Sequence, residues 1–433
     1  VKLSILLINP WIYDFAAANL WSRPLGILKV AECLSCYDVG LSLIDCTDVF
    51  LKAGSSKGKY PKAEVEKPEC LKRVPRAFGR YGITVDDFRL RLSKAAPFDL
   101  VFVTSIMSWW YPGVHKVIGI LKEEYKDVPI VLGGIYATLW HSHASGTSGA
   151  DFIYKGPVGE DIRVVFNTFG FRLKKKSEVS SPYYKLGLYS RYSFAPVMTG
   201  TGCPFACSYC ASRVLQKDFS RKTPDKVVNE IKELREKGVR DFAFYDDALL
   251  VDADRHIKPI LGEINKFDLN ARFHCPNGLH ARFIDDELAR LMRDSGFSTI
   301  RLGLETVDRE RQKETGGKVT SEDLSAAVGH LKRHGFTKKE IGVYLMYGLP
   351  GQTFDEVKEG VAFLTSLGVN VHLAEFSPIP GTKCWKDLQL KGVVIEGMDP
   401  LLTNNTVFSY LFSGYDPHEV DKLKLKVKNY NMS

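Results

Sequence analysis

Two series of short apolar segments, each interleaved with amphipathic helical patterns, confine this chain to an α/β architecture more tightly than any other feature. In the first series, residues 3–8, 41–44, 100–104, 130–132 and a weaker 152–154 read as buried strands, with a helical pattern such as 114–125 between them. Short apolar strands joined by helices predict a Rossmann-like, doubly wound parallel sheet over residues 1–170. A polar linker spans 171–189, and a second series then places strands at 194–198, 241–245, 272–275, 299–304, 341–346 and 371–376. Helical patterns at 224–237, 285–295, 321–334 and 353–367 connect them. Six repeats within residues 190–385 predict a partial (β/α)6 barrel, too few for the full eight. In both architectures ligands gather where strands end, at their carboxyl edges. Residues 386–433 form a C-terminal extension whose Tyr410, Phe412, Tyr415 and Tyr430 suit a cap or docking element. The Lys-, Gly-, Ser- and Pro-rich stretch 52–72 predicts an exposed insertion.

Composition narrows the setting. The 433 residues are 45% hydrophobic and 25% charged, as in soluble proteins of two or three domains. The excess of 59 basic over 51 acidic side chains is mild, and the basic runs at 172–176 and 422–426 read as solvated faces without a nucleic-acid signature. No apolar stretch is long enough to span a bilayer. The first apolar run stops at Asn9-Pro10 and reads as a strand, not a signal peptide, so the expected location is the cytoplasm. Nine cysteines in that setting favour metal or redox use over disulfides.

Three of the nine lie together, in Thr199-Gly200-Thr201-Gly202-Cys203-Pro204-Phe205-Ala206-Cys207-Ser208-Tyr209-Cys210, directly after the first strand of the second series. Thiolates ligate iron–sulfur clusters, usually one per iron. Three from one loop hold three corners of a 4Fe–4S cubane and leave the fourth iron open. A structural zinc site would instead close with a fourth Cys or His at ligand spacing, which this loop lacks. Cys203, Cys207 and Cys210 are therefore the metal-ligating and catalytic candidates.

With this loop, residues 190–385 resemble the radical S-adenosylmethionine (SAM) superfamily. The resemblance implies that the open iron chelates SAM and reductively cleaves it to a 5′-deoxyadenosyl radical. It further implies SAM contacts from Tyr209, Tyr245-Asp246-Asp247 after the second strand, Asn277 in Cys275-Pro276-Asn277-Gly278, Glu305 in Gly303-Leu304-Glu305, and Gly348 in Gly348-Leu349-Pro350-Gly351-Gln352-Thr353. Carboxylates at Tyr245-Asp246-Asp247 would complement the SAM ammonium. Glycines allow close backbone approach, and Thr353 suits a helix cap. An acidic turn and plain turn chemistry account for the same residues without a ligand.

The first domain resembles the cobalamin-binding domain that precedes many radical SAM domains. Pro24-Leu25-Gly26, Ile44-Asp45, Val131-Leu132-Gly133-Gly134 with Ala137-Thr138, Asp151-Phe152-Ile153 and Gly156-Pro157-Val158-Gly159-Glu160 carry the match, and Asn9, Ser105 and Met107 in the strand-end loops join Pro24, Leu25, Gly26, Gly133 and Gly134 as candidate cobalamin contacts. Gly156-Pro157 departs from the commoner Gly-Glu, and the Asp-x-His-x-x-Gly motif with its axial histidine is absent. The resemblance implies cobalamin, with Trp11, Met107, Trp109 and Trp110 as candidates to cover a corrin face. Its function is then methyl transfer to an unactivated carbon of a small-molecule or peptide substrate, with flavodoxin or ferredoxin as electron donor. Alternatives are a cobalamin-free radical SAM enzyme catalysing rearrangement, cyclisation or sulfur insertion, a methylthiotransferase, and a non-catalytic iron–sulfur sensor. Of the remaining residues, Cys33 and Cys36 read as inert, His141 and His143 as surface residues, and Cys275 as a thiol near the chemistry.

Overall fold

The first series of apolar segments pairs as a parallel sheet of β1 (Leu3–Asn9), β2 (Val39–Asp45), β3 (Leu100–Val103), β4 (Ile130–Leu132) and β5 (Phe152–Ile153). The computed structural model describes residues 2–49, 57–176, 186–190, 193–267 and 269–433. Contacts divide the chain into two units, Val1–Tyr192 with Glu396–Asn404, and Ser193–Ile395 with Asn405–Ser433.

In the first unit the strand order is β5-β4-β3-β1-β2, so the chain direction across the sheet switches between β1 and β3. Alternation along β1 explains the two layers of helices. Leu6 and Ile8 pack with Phe88 and Leu92 of α2 (Val85–Ala95) and Val114 and Val117 of α3 (Tyr111–Glu124). Ile5 and Leu7 pack on the other face against Ile27 and Ala31 of α1 (Leu25–Leu34) and Val165 and Phe166 of α4 (Arg163–Thr168).

The stretch expected as an exposed insertion has its own small core. Residues 52–56 lie outside the described residues, but Lys57–Lys59 pairs with Ala18–Leu20, and Lys62–Glu64 with Gly79–Tyr81. Tyr60 is buried there with Ile12 and Tyr81, and Leu71 and Val74 are buried as well. Three-residue strands carry too little alternation to be read from sequence. The linker expected at 171–189 is described only in part: Asp38 N–H donates to the Lys174 carbonyl at 2.8 Å, and Leu186–Leu188 forms a single 3-10 turn.

The second unit holds β6 (Phe194–Val197), β7 (Asp241–Phe244), β8 (Arg272–Leu279), β9 (Phe297–Glu305), β10 (Ile341–Tyr347) and β11 (Asn370–Glu375). They are parallel and ordered as in the sequence, the arrangement of a partial barrel. The connecting helices include α5 (Pro224–Glu236), α6 (Ile257–Ile264), α7 (Asp286–Asp294), α8 (Ser321–Arg333) and α9 (Phe354–Ser366). Capping boxes start α8 at Thr320 with Asp323 and α9 at Thr353 with Glu356. Phe242, Phe244, Phe273 and Phe297 stack on one sheet face with centroids 5.6–5.9 Å apart. On that face further along, Gly360 of α9 lies against Leu345. Strand alternation therefore turns Asp241, His274, Arg301, Tyr344 and His372 to the opposite, inner face.

That same alternation overturns the reading of Cys275. It shares the face of Phe273, is fully buried, and burial pushes its thiol far up, so it is a core residue.

The C-terminal pattern also resolves into helices: α10 (Lys383–Leu390), α11 (Asn405–Phe412) and α12 (Pro417–Met432). The Asn431 amide accepts from Val371 N–H at 2.9 Å and donates to the Val371 carbonyl at 2.8 Å, covering the open edge of β11. Residues 396–404 instead belong to the first unit. There Asn404 donates to Asp14 at 3.0 Å and the Tyr111 hydroxyl to Asp399 at 3.1 Å. Among the described residues no helix is long and apolar enough to cross a membrane.

Candidate active site

The cysteine loop leaves the carboxyl end of β6 and is tied on two sides. On the first, Asp246 at the end of β7 accepts from Thr199 N–H at 2.9 Å, Thr199 hydroxyl at 2.6 Å and Gly200 N–H at 2.7 Å. His256 adds a 2.7 Å contact to the same hydroxyl. Burial pushes the Asp246 carboxyl up to about 6, against the pull of these donors. The Tyr245-Asp246-Asp247 segment thus divides its work: Asp246 holds the cysteine loop, and only Asp247 is exposed. Asp246→Ala strands three donors, and iron bound after anaerobic reconstitution is expected to fall below about half the parent level with the circular dichroism retained.

On the other side, Ser208 N–H donates to the Thr315 carbonyl at 3.2 Å, and the Ser208 carbonyl accepts from Cys384 N–H at 2.9 Å. Gly316 has φ +120°, and a Cβ there would stand 3.0 Å from the Cys207 Cα. Only glycine permits this approach.

The three cysteine sulfurs do not all fall within 4.8 Å of one another. A tetrahedral zinc would draw its sulfurs to about 3.8 Å, from a Zn–S bond of about 2.3 Å. Burial raises the Cys203 thiol and pushes Cys207 up to about 11, while Lys318 pulls both down.

Lys318 is the residue the sequence did not yield. Its ammonium lies 2.6 Å from Glu305 Oε1 in a pair that is nearly closed to solvent. Burial opposes the charge, but Glu305 outweighs it and keeps Lys318 protonated. Glu305 has φ +70° at a bulge in β9, strain that an active site tolerates. Gly303 is open toward this pair: a Cβ there would meet Glu305 Oε1 at 2.8 Å and Lys318 Nζ at 3.3 Å. The Tyr209 hydroxyl is buried without a hydrogen-bond partner. Its phenol is raised by burial and by Glu305. An unmet polar atom, an exposed carboxylate, a buried ion pair and three thiols therefore bound one mouth, which fits a zwitterionic ligand at an iron–sulfur cluster. The remaining SAM candidates frame it. Asn277 donates to the Tyr245 carbonyl at 3.2 Å, and Gly348, at φ +81°, opens the turn closed by Leu349 N–H on Gln352.

Residues 197–364 match the radical SAM superfamily. The chain carries a radical SAM domain. An uncharacterized methyltransferase of Pyrococcus horikoshii is 25% identical over 224 residues, covering 49% of this chain and 47% of that protein. The chain spans about half the length of the curated relatives it matches. Among solved structures, TsrM, a radical SAM methyltransferase of Kitasatospora setae, superposes with TM-score 0.65 at 18% identity over 90% of this chain and 76% of its own. The cobalamin-dependent SAM radical enzyme OxsB gives TM-score 0.65 at 14% identity over 100% of this chain and 71% of its own. The fold preceding the radical SAM domain is thus shared with both.

In that preceding unit the cobalamin candidates meet at strand ends. Ser105 hydroxyl donates to the Gly133 carbonyl at 2.7 Å, and a Cβ on Gly134, at φ +94°, would strike the Ser105 carbonyl oxygen at 2.3 Å. Leu25-Gly26 opens α1 behind Pro24, with Thr104 the neighbour of Gly26. Met107, 39% exposed, stands on this rim. The polar groups are already satisfied: Asn9 donates to Asp45 at 2.7 Å, and Asp45 also accepts from Tyr189 at 2.7 Å. A glycine rim with an exposed thioether fits the face of a large ring. Trp11 does not contribute, because it is buried against Phe88 with its indole N–H on the Ile83 carbonyl. Trp109 and Trp110 both donate to Asp14. His143 is only partly exposed, its Nδ1 meeting the Tyr136 hydroxyl at 2.6 Å. Cys33 lies in α1 and Cys36 beyond it, both half-buried, with burial raising the Cys33 thiol.

Proposed function

We propose that this protein reductively cleaves SAM at a 4Fe–4S cluster held by Cys203, Cys207 and Cys210, and uses cobalamin in its first unit to methylate an unactivated carbon. When bound, the cluster supplies the electron that splits the sulfonium into methionine and a 5′-deoxyadenosyl radical, and cobalamin supplies the methyl carrier. The observation that carries the reading is the triplet itself: three thiols on one loop after a strand end, with no fourth Cys or His at ligand spacing in that loop. In this reading Lys318 receives the SAM carboxylate and Asp247 its ammonium, while Glu305 and Asn277 accept and donate hydrogen bonds to the ribose. Tyr209 and the Gly348 turn border the adenine. Asp246 and Gly316 hold the loop and take no part in contacting SAM. Ser105, Met107 and the Gly133-Gly134 turn border the corrin, with Asn9 and Pro24-Leu25-Gly26 behind them. The sheet supports the cobalamin half, because its switch point falls between β1 and β3, where parallel sheets bind ligands. Small molecules or peptides are the substrate class, flavodoxin or ferredoxin the electron donor, and the reducing cytoplasm the setting.

The test is anaerobic reconstitution with iron and sulfide, then reduction with SAM and assay for 5′-deoxyadenosine. A visible spectrum with one equivalent of hydroxocobalamin follows. Formation of 5′-deoxyadenosine and a protein-bound corrin spectrum are expected. Absence of bound corrin sinks the cobalamin half alone, and absence of 5′-deoxyadenosine from cluster-loaded protein sinks the whole.

A further inference from the structure

Below the cluster mouth, the inner face of the radical SAM sheet carries a cation without an anion. Arg301 on β9 is half-buried, yet no carboxylate among the described residues forms a salt bridge to it. Its Nη1 reaches only two main-chain carbonyls, Ile300 at 3.1 Å and Glu340 at 3.5 Å. Two strands away, His372 Nε2 is buried with no hydrogen-bond partner. Register brings the two groups together: Arg301 pairs with Gly342, and Tyr344, the next inner residue of β10, pairs with His372. Gly342, lacking a side chain, lets the ends of both side chains lie over its main chain. A Cβ there would stand 2.6 Å from His372 Nε2 and 2.8 Å from Arg301 Nη1. Tyr344 closes one side, its ring centroid 5.7 Å from that of His372 and its hydroxyl donating to the Pro276 carbonyl at 2.8 Å. Along β10, Tyr344 is the one residue not fully buried, so this level of the inner face opens inward.

We infer that Arg301 and His372 form a carboxylate-binding subsite for the substrate, set on the inner barrel face beneath the SAM mouth. The inference rests on the proposed function, with the substrate taken to lie on this inner face beneath SAM, and specifies the substrate class: a small molecule carrying a carboxylate. A planar guanidinium presents paired donors matched to that group, and a desolvated cation with unfilled donors is costly until an anion arrives. Burial and the Arg301 charge hold His372 down to about 4, so it is neutral at pH 7 and offers Nε2 as a neutral hydrogen-bonding group. The position also sets a distance. Arg301 lies four residues before Glu305 on the same strand, about 13 Å at about 3.3 Å per residue. A carboxylate there leaves room for a body of several carbons between it and SAM.

The experiment measures binding, not turnover, so it reads separately from SAM cleavage. Calorimetric titrations of the full chain with acetate and benzoate are compared with their neutral isosteres, acetamide and benzamide. The parent protein should prefer at least one carboxylate over its amide by about tenfold or more. Arg301→Gln should erase that preference, and Arg301→Lys should keep part of it. Gly342→Ala, which pushes the Arg301 and His372 side-chain ends apart and leaves every charge in place, should weaken the carboxylate several-fold and keeps the test open if Arg301→Gln fails to fold. SAM affinity of reconstituted Arg301→Gln should stay within about twofold of the parent. No carboxylate preference in the parent, or an equal preference in folded Arg301→Gln, overturns the subsite. A tenfold loss of SAM affinity in that variant also overturns it, by assigning Arg301 to the SAM carboxylate. Inorganic phosphate binding in place of both carboxylates overturns the class.

Discussion

Cys207→Ala abolishes 5′-deoxyadenosine formation, to below about a thousandth of the parent rate, because two remaining thiolates cannot hold three corners of a cubane. The substitution is clean at this position. The Cys207 main chain is enclosed by Gly316, and the loop hydrogen bonds run through the main chain of Thr199, Gly200 and Ser208. Alanine therefore keeps the loop and removes only the sulfur. The measurement is 5′-deoxyadenosine per chain under dithionite, paired with iron and sulfide content. Cys203→Ala and Cys210→Ala are expected to behave alike. Cleavage retained in any of the three would remove the cluster assignment, whereas loss of iron in all three with unchanged circular dichroism is the expected pattern.

The α/β architecture was legible because the parallel strands are buried on both faces and read as short apolar runs. Five such runs became one sheet and six became the other, most of them within a residue or two of their expected limits. Thr353 was legible as a cap for a local reason: its side chain accepts from the main-chain N–H of Glu356, three residues on. Three-residue strands and the covered C-terminal helices were not legible, since their stability comes from partners distant in the sequence. Asn431 reads as an ordinary polar residue until β11 lies beside it.

The site shows the same division. A cysteine triplet is a local signal, and so was found. Acidic residues after a strand are equally visible, but their roles depend on direction: Asp246 turns toward Thr199 and its neighbour Asp247 toward solvent. Lys318 was missed although Gly316-Gly317-Lys318 is conspicuous in the sequence. A glycine pair marks a turn in any chain, and only the close approach of Gly316 to Cys207 shows that this turn sets the lysine beside the cysteine loop. Arg301 and His372 are 71 residues apart in sequence (372 − 301), and strand register alone makes them neighbours.

Lys318→Met is expected to destabilise the second unit by about 3–5 kcal/mol, the cost of leaving one member of a buried ion pair without its partner. The Lys318 and Glu305 side chains are only 16% and 11% exposed, so water cannot replace the lost ammonium. Glu305→Gln alone should destabilise as well, by stranding the cation beside Tyr209. The double variant Lys318→Met with Glu305→Gln removes both charges and should recover more than about half of the single-variant loss, a coupling measurable from urea unfolding of cluster-free protein. Stability and chemistry then separate. If the pair binds SAM, the double variant regains its fold but forms 5′-deoxyadenosine no faster than Lys318→Met. Near-parental cleavage by the double variant would instead make the pair a purely structural feature, leaving Asp247 and the cluster to hold SAM without it.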